Sequence, residues 1–284
     1  LAREIGAPDT TAGIPEGRWM RAMAFERLVQ HEDFVSRLLT TAVGALGLDR
    51  PVDIHRAEGQ VAVKVTAERL QEAHDRAVAA GSATMITGLA IPFVGFEDVD
   101  ATPVKPDFAI IVPRSNDGAP VGSWLVMGDA KDYERVRSRI DDGRMLKGFL
   151  QVALGAESAA AWSRLPVGME VHRCGALAVP RNAFLQPIAV VEQLDDHRRE
   201  VIARADERGA LLDEVEEAVP EDELLEFVAH RTATFDPATC ASCALFEYCQ
   251  TELRGSTEPE ELLVELGVVP ELRGSVSDLV TGGE

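Results

Sequence analysis

Residues 106–131 read PDFAIIVPRSNDGAPVGSWLVMGDAK, and the fold turns on this stretch. Two apolar runs, Phe108 to Val112 and Trp124 to Met127, flank Ser115-Asn116-Asp117-Gly118, which is turn chemistry. The pattern predicts a β-hairpin. A hairpin returns the chain to the edge it left, so Asp107 and Asp129 are expected at the same edge of a sheet. Asp129 and Lys131 are two apart on a strand and project from one face. Two carboxylates beside an ammonium form a hard-cation site suited to metal-assisted attack of water on a phosphodiester. Taken singly, an Asp after Pro is an ordinary turn residue, and an Asp–Lys pair on a strand is an ordinary surface pair. As a set, reached by a strand that is apolar until its last residues, they point to an active-site edge.

Pro106-Asp107 followed by Asp129-x-Lys131 resembles the PD-(D/E)XK nuclease superfamily in its D-x-K form. Downstream, Lys147-Gly148-Phe149-Leu150-Gln151-Val152-Ala153-Leu154 is similar to the glutamine-bearing helix of RecB-like members, although Gly155 stands where their Q-x-x-x-Y pattern has tyrosine. Upstream, the segment Gly17 to Glu26 (GRWMRAMAFE) resembles the first-helix motif that supplies a further acidic ligand. The resemblance implies a metal-dependent deoxyribonuclease working in a defence, recombination or repair complex. Mg²⁺ or Mn²⁺ would sit on Asp107 and Asp129, with Glu26 bound directly or through water. Oxygen ligands with no Cys or His nearby suit these ions better than zinc. Lys131 would orient the attacking water and offset charge on the phosphate, and Gln151 would position the lysine or the nucleophile. A catalytically silent nucleic-acid-binding or scaffold subunit with the same fold is the alternative, favoured by Gly155 and by the acidic charge.

Cysteines carry the second signal. Cys240, Cys243 and Cys249 form C-x₂-C-x₅-C, and Cys174 is the one other cysteine. There is no secretory leader pattern and no apolar stretch long enough to span a membrane, so a cytoplasmic chain is expected, with no membrane partner. There, clustered thiols indicate zinc or an iron–sulfur cluster rather than disulfides. AddB-type nucleases and the CRISPR-associated exonucleases like them carry a similar C-terminal trio, with a fourth cysteine ahead of the core, on a [4Fe–4S] cluster. By that resemblance the trio would hold such a cluster as a structural staple. Residues 1–173 contain no cysteine, so Cys174 is the available fourth thiol; it is equally a small buried hydrophobe. With His230 the trio would make a Cys₃His zinc site and a protein of other function.

The net charge of −20 divides unevenly: residues 1–180 carry a net −4 and residues 181–284 a net −16. The C-terminal acids, in runs such as Asp213-Glu214-Val215-Glu216-Glu217, read as solvated helix faces that would meet a basic protein partner. Between Lys131 and Lys147, Arg135, Arg137, Arg139, Arg144 and Lys147 form a candidate DNA-tracking strip. His55, His74 and His172 have no partner visible in the sequence and are read as structural or exposed.

The expected architecture is α/β: a restriction-endonuclease-like mixed β-sheet core flanked by helices over 1–192, and an acidic, mostly helical segment over 193–284 carrying the cysteines. Within it we expect one helix near 17–40 and a weak strand at 53–55. Residues 61–80 should begin as a strand and become helical from Thr66, and 84–94 should be extended. Strands follow near 105–112, 121–129, 171–179 and 186–192, with helices near 135–160, 195–231 and 244–265. Residues 1–12 and 272–284, poor in large apolar side chains, are expected to fray.

Overall fold

The computed structural model describes residues 16–48, 50–94, 102–133, 139–214, 223, 226, 243, 245–256, 259–265 and 267–281. It divides into two units, 17–212 and 1–16 with 213–284.

In the larger unit the helices are α1 (Glu16–Val29), α2 (Glu32–Leu46), α3 (Val63–Ala80), α4 (Asp142–Ala161) and α5 (Asp195–Glu214, which runs into the second unit). The strands are β1 (Ile54–Glu58), β2 (Ala83–Thr87), β3 (Phe108–Asn116), β4 (Ala119–Ala130), β5 (Met169–Val171), β6 (Cys174–Pro180) and β7 (Pro187–Gln193). The seven strands form one mixed sheet in the order β1-β2-β3-β4-β6-β7, with β5 also on β4. β1 runs parallel to β2, and β4 parallel to β5 and β6; the other neighbours are antiparallel.

Strand alternation makes two apolar layers. Ala109, Ile111, Leu125, Met127, Leu177 and Val179 face one side, with Leu70 of α3 and Phe149, Val152 and Ala156 of α4. Phe108, Ile110, Val112, Val126, Ala130 and Ala178 face the other, with Phe25 and Val29 of α1 and Phe34 and Leu38 of α2. Each large side chain so buried contributes about 1.5–3 kcal/mol. The strand residues within 108–112, 124–127 and 171–179 are legible as apolar or extended runs; their helical partners are not.

The β3–β4 hairpin forms as its sequence predicts. Asp117 (φ 50°) and Gly118 (φ 80°) are both left-handed, the two-residue turn whose twist matches the strands. Opposite Gly128 in the register stands Phe108, whose ring fills the space a Cβ there would need: that Cβ would lie 2.1 Å from the ring.

Five local expectations are corrected. The helix near 17–40 is two helices, because His31 adopts an extended backbone (ψ 143°) and its Nδ1 caps α2 by accepting the Asp33 N–H at 3.4 Å. There is no strand at 61: Gln60 and Val61 have φ of 55° and 52°, so the chain turns, and α3 starts at Val63, before Thr66. Helix α4 starts at Asp142 because Asp141 caps it, accepting the Arg144 N–H at 3.0 Å. Residues 270–281 form a helix rather than a frayed end. Over 84–94 only the first part is strand, with a single bridge from Ile91 to Val104.

In the smaller unit, α6 (Phe246–Gly255), α7 (Pro259–Glu265) and α8 (Pro270–Thr281) enclose a small cluster of Leu253, Leu263 and Val268. Pro259 and Pro270 open their helices, where a missing N–H costs nothing. Among the described residues no helix is long and apolar enough to cross a membrane.

Candidate active site

The register of the hairpin builds the site. Phe108 pairs with Gly128, so the next pair outward is Asp107 opposite Asp129. Asp129, with Leu125 and Met127 before it, belongs to the α3–α4 side of the sheet. Lys131 continues the strand in backbone terms: its N–H donates to Ala178 O of β6 at 2.9 Å. Asp107, Asp129 and Lys131 therefore converge, as the sequence predicts.

Their electrostatics are tightly coupled. Asp129 is 5% exposed, and its Oδ2 has no well-aligned hydrogen bond; its partner is Lys131 Nζ, 2.7 Å away in an ion pair. Asp107 Oδ2 accepts the Ala130 N–H at 2.8 Å. Burial, then the hydrogen bond and charge of Asp129, push the Asp107 carboxyl from 3.8 up to about 8, against the opposing pull of Lys131. Burial alone would lower the Lys131 ammonium, but the Asp129 carboxylate outweighs it and raises the pKa. Burial and the neighbouring Asp129 thus favour the protonated form of Asp107 even with Lys131 close by.

A cavity of about 200 Å³ opens beside Asp107, walled by Asp107, Lys105 and Thr87 on the sheet side and by Glu26 and Gln30 from the first helix; Asp129 does not line it. Glu26 thus shares a cavity with Asp107, although among the described residues no three His, Cys, Asp or Glu side chains are gathered as a metal-ligand set. A larger cavity of about 690 Å³ lies between α2 and β1 and includes none of Glu26, Asp107 and Asp129.

Helix α4 lies close against the sheet behind the acids. A Cβ at Gly148 would meet Leu177 at 2.7 Å, and one at Gly155 would meet both Met127 and Pro106 at 3.0 Å. Gly155 is required by this approach, so no tyrosine fits at that position. Gln151 is on an exposed part of α4.

Two neighbours escaped the sequence reading. Tyr133 is half-buried; burial raises its pKa, and the Lys131 ammonium lowers it. Its signal was the alternation 129, 131, 133. Arg21 of α1 donates from Nε to Asp132 Oδ1 at 3.1 Å, tying the first helix to the residue after Lys131; no sequence rule joins positions that far apart.

Arg139, Arg144 and Lys147 are exposed, as a phosphate-tracking strip requires, while Arg135 and Arg137 lie outside the described residues. Cys174 opens β6 in the larger unit, half-buried, its thiol pKa raised by burial. Cys243 and Cys249 belong to the smaller unit and are not disulfide-bonded; Cys240 and His230 lie outside the described residues. Cys243 Sγ accepts the Leu245 N–H at 3.4 Å just ahead of α6. His74 is explained structurally, since its Nδ1 bonds Ser123 Oγ at 2.7 Å inside the core. His172 is buried too; its Nδ1 accepts the Cys174 N–H at 3.1 Å and its ring meets Trp124 edge-on.

Comparison of the chain with protein-family models and with curated proteins finds no match.

Proposed function

We propose that this chain is a divalent-metal-dependent nuclease that hydrolyses phosphodiester bonds in DNA. One observation carries the reading: Asp107 faces Asp129 at the end of the β3–β4 hairpin, burial and Asp129 raise the Asp107 pKa, and Lys131 pairs with Asp129. An acid kept protonated by burial and by a neighbouring carboxylate is a place where a dication replaces a proton favourably. The donor set fits Mg²⁺ or Mn²⁺, which accept one or two carboxylates and fill their remaining positions with water and substrate phosphate oxygens. Asp107 and Asp129 would hold the ion, with Glu26 reaching it through water across the cavity. When bound, such an ion polarises a phosphoryl oxygen and lowers the pKa of its water.

The chain's own groups do the rest. Lys131 Nζ, fixed by Asp129, donates hydrogen bonds to the attacking water and to the phosphate oxygen on which charge grows. The Ala130 N–H holds Asp107 Oδ2 and so fixes the direction of the carboxyl. Arg139, Arg144 and Lys147 supply salt-sensitive attraction to the phosphate backbone.

The cysteine trio is proposed to bind a [4Fe–4S] cluster, or zinc, that folds the C-terminal unit. An N–H donated to Cys243 Sγ supports this, since such bonds stabilise ligating thiolates.

The silent-subunit reading is favoured by one observation: among the described residues no third acid is gathered with Asp107 and Asp129. The test is incubation of anaerobically purified protein with Mg²⁺ or Mn²⁺ and end-labelled single- and double-stranded DNA, beside Lys131→Ala. Cleavage lost with Lys131→Ala and with chelator is expected. Folded, metal-replete protein that binds DNA without cutting it would establish the silent subunit.

A further inference from the structure

The surface beside this site has a feature that the carboxylate chemistry does not use. Trp19, in the first turns of α1, is 55% exposed, whereas Trp162 is buried and Trp124 packs against the core. An exposed indole offers a flat face on which a base can stack. Trp19, Glu26 and Gln30 fall on one stripe of the helix, since seven and eleven residues bring the chain back to nearly the same azimuth. Glu26 and Gln30 line the cavity that reaches Asp107. Trp19 is therefore about 10 Å up the helix axis from Glu26, a span of about three nucleotides at duplex rise and fewer in an extended strand. The start of the helix is held in place by the Arg21–Asp132 ion pair, next to Lys131. In sequence, Arg18 and Arg21 flank Trp19, with Glu16 and Glu26 as the nearest acids on either side.

We propose that Trp19 is a stacking platform for an unpaired base of single-stranded DNA, set beside the phosphate that the Asp107–Asp129–Lys131 site would hold. A base inside a duplex has both faces covered, so the platform selects single strands and frayed ends. The stripe continues into the cavity, so the same strand meets the indole and then the carboxylates. The inference rests on the nuclease reading for the position of the phosphate, but stacking itself is measurable without turnover.

The full chain carrying Lys131→Ala is titrated with a single-stranded oligonucleotide and with a duplex of the same length, read by anisotropy and tryptophan fluorescence. The single strand is expected to quench fluorescence. Adding Trp19→Ala is expected to remove that quench and raise the single-strand Kd about 10-fold, with less than a 2-fold change for duplex. Trp19→Phe, which keeps an aromatic face, is expected to retain most of the affinity. An unchanged single-strand Kd in Trp19→Ala at unchanged Tm overturns the proposal, as does an equal loss on duplex or the absence of any single-strand binding. Cleavage by the unsubstituted chain is scored separately: quenching without cleavage keeps the platform and removes the nuclease.

Discussion

Asp107 stands across the hairpin ladder from Asp129, within hydrogen-bonding reach, and keeps its proton up to about pH 8. Its folded-state pKa is above the ordinary 3.8, so folding favours the protonated acid. That stabilisation is complete below about pH 4 and is lost as the pH rises through about 8. In chelator, the Tm of the unsubstituted chain is expected to fall relative to that of Asp107→Asn across this window and to run parallel above it. At pH 8, Mn²⁺ should raise the Tm of the unsubstituted chain and leave Asp107→Asn nearly unmoved. A flat Tm difference between the two proteins from pH 4 to 8 would sink this account.

Lys131 is the counter-charge of a carboxylate that is 5% exposed. Lys131→Ala is expected to cost about 3 kcal/mol in urea unfolding and about 100-fold or more in turnover. The double variant Lys131→Ala/Asp129→Asn should recover much of the stability and none of the activity. Failure of the second substitution to restore stability would mean that the ion pair is not what Lys131 contributes.

Gly128 allows Phe108 to lie flat against β4. Gly128→Ala should cost about 1–3 kcal/mol, because the new methyl overlaps the ring, and should lower activity by shifting Asp129 next door. Gly44→Ala is the control: nothing lies within 4 Å of its Cβ position on α2, so it should be neutral or gain up to about 1 kcal/mol of helix stability. Chemical denaturation of the two variants side by side separates overlap from a general intolerance of alanine.

Cysteine chemistry should be confined to the C-terminal unit. Cys243→Ser and Cys249→Ser are each expected to lose the bound metal, measured as iron, sulfide and zinc. Hydrogen exchange should then rise in α6–α8 while β3 and β4 keep their protection. Cys174→Ser tests the fourth position: metal loss equal to that of the trio makes Cys174 a ligand, and unchanged metal content makes it a packing residue.

How much was legible in the sequence depended on how local the cause was. The hairpin, its turn and the convergence of Asp107, Asp129 and Lys131 follow from alternation and turn chemistry within 26 residues, and all are present. The break at His31 was missed because a histidine cap is rare and the apolar spacing runs across it. The turn at Gln60-Val61 was missed because a β-branched residue at positive φ contradicts its own propensity and is imposed by contacts with Gly88. The Gly155 departure could be seen but not explained until α4 was found against Pro106 and Met127. Arg21 and Tyr133 join the site through tertiary placement, which no single-sequence pattern encodes.

The alternation of β4 also acts as a proofreader. Asp129 and Lys131 share a parity with Leu125 and Met127, while Gly128 and Ala130 share one with Val126. A slip of one residue between β3 and β4 would turn every side chain over. It would drive Asp129 and Lys131 into the layer of Phe25, Phe34 and Leu38 and bring Val126 to the opposite face. Carrying that ion pair into an apolar layer, away from water and from Asp107, would cost far more than a mispaired hairpin recovers. A chain whose apolar layers have closed has therefore already tested the placement of its acids, and packing guarantees the arrangement that any chemistry at this edge would need.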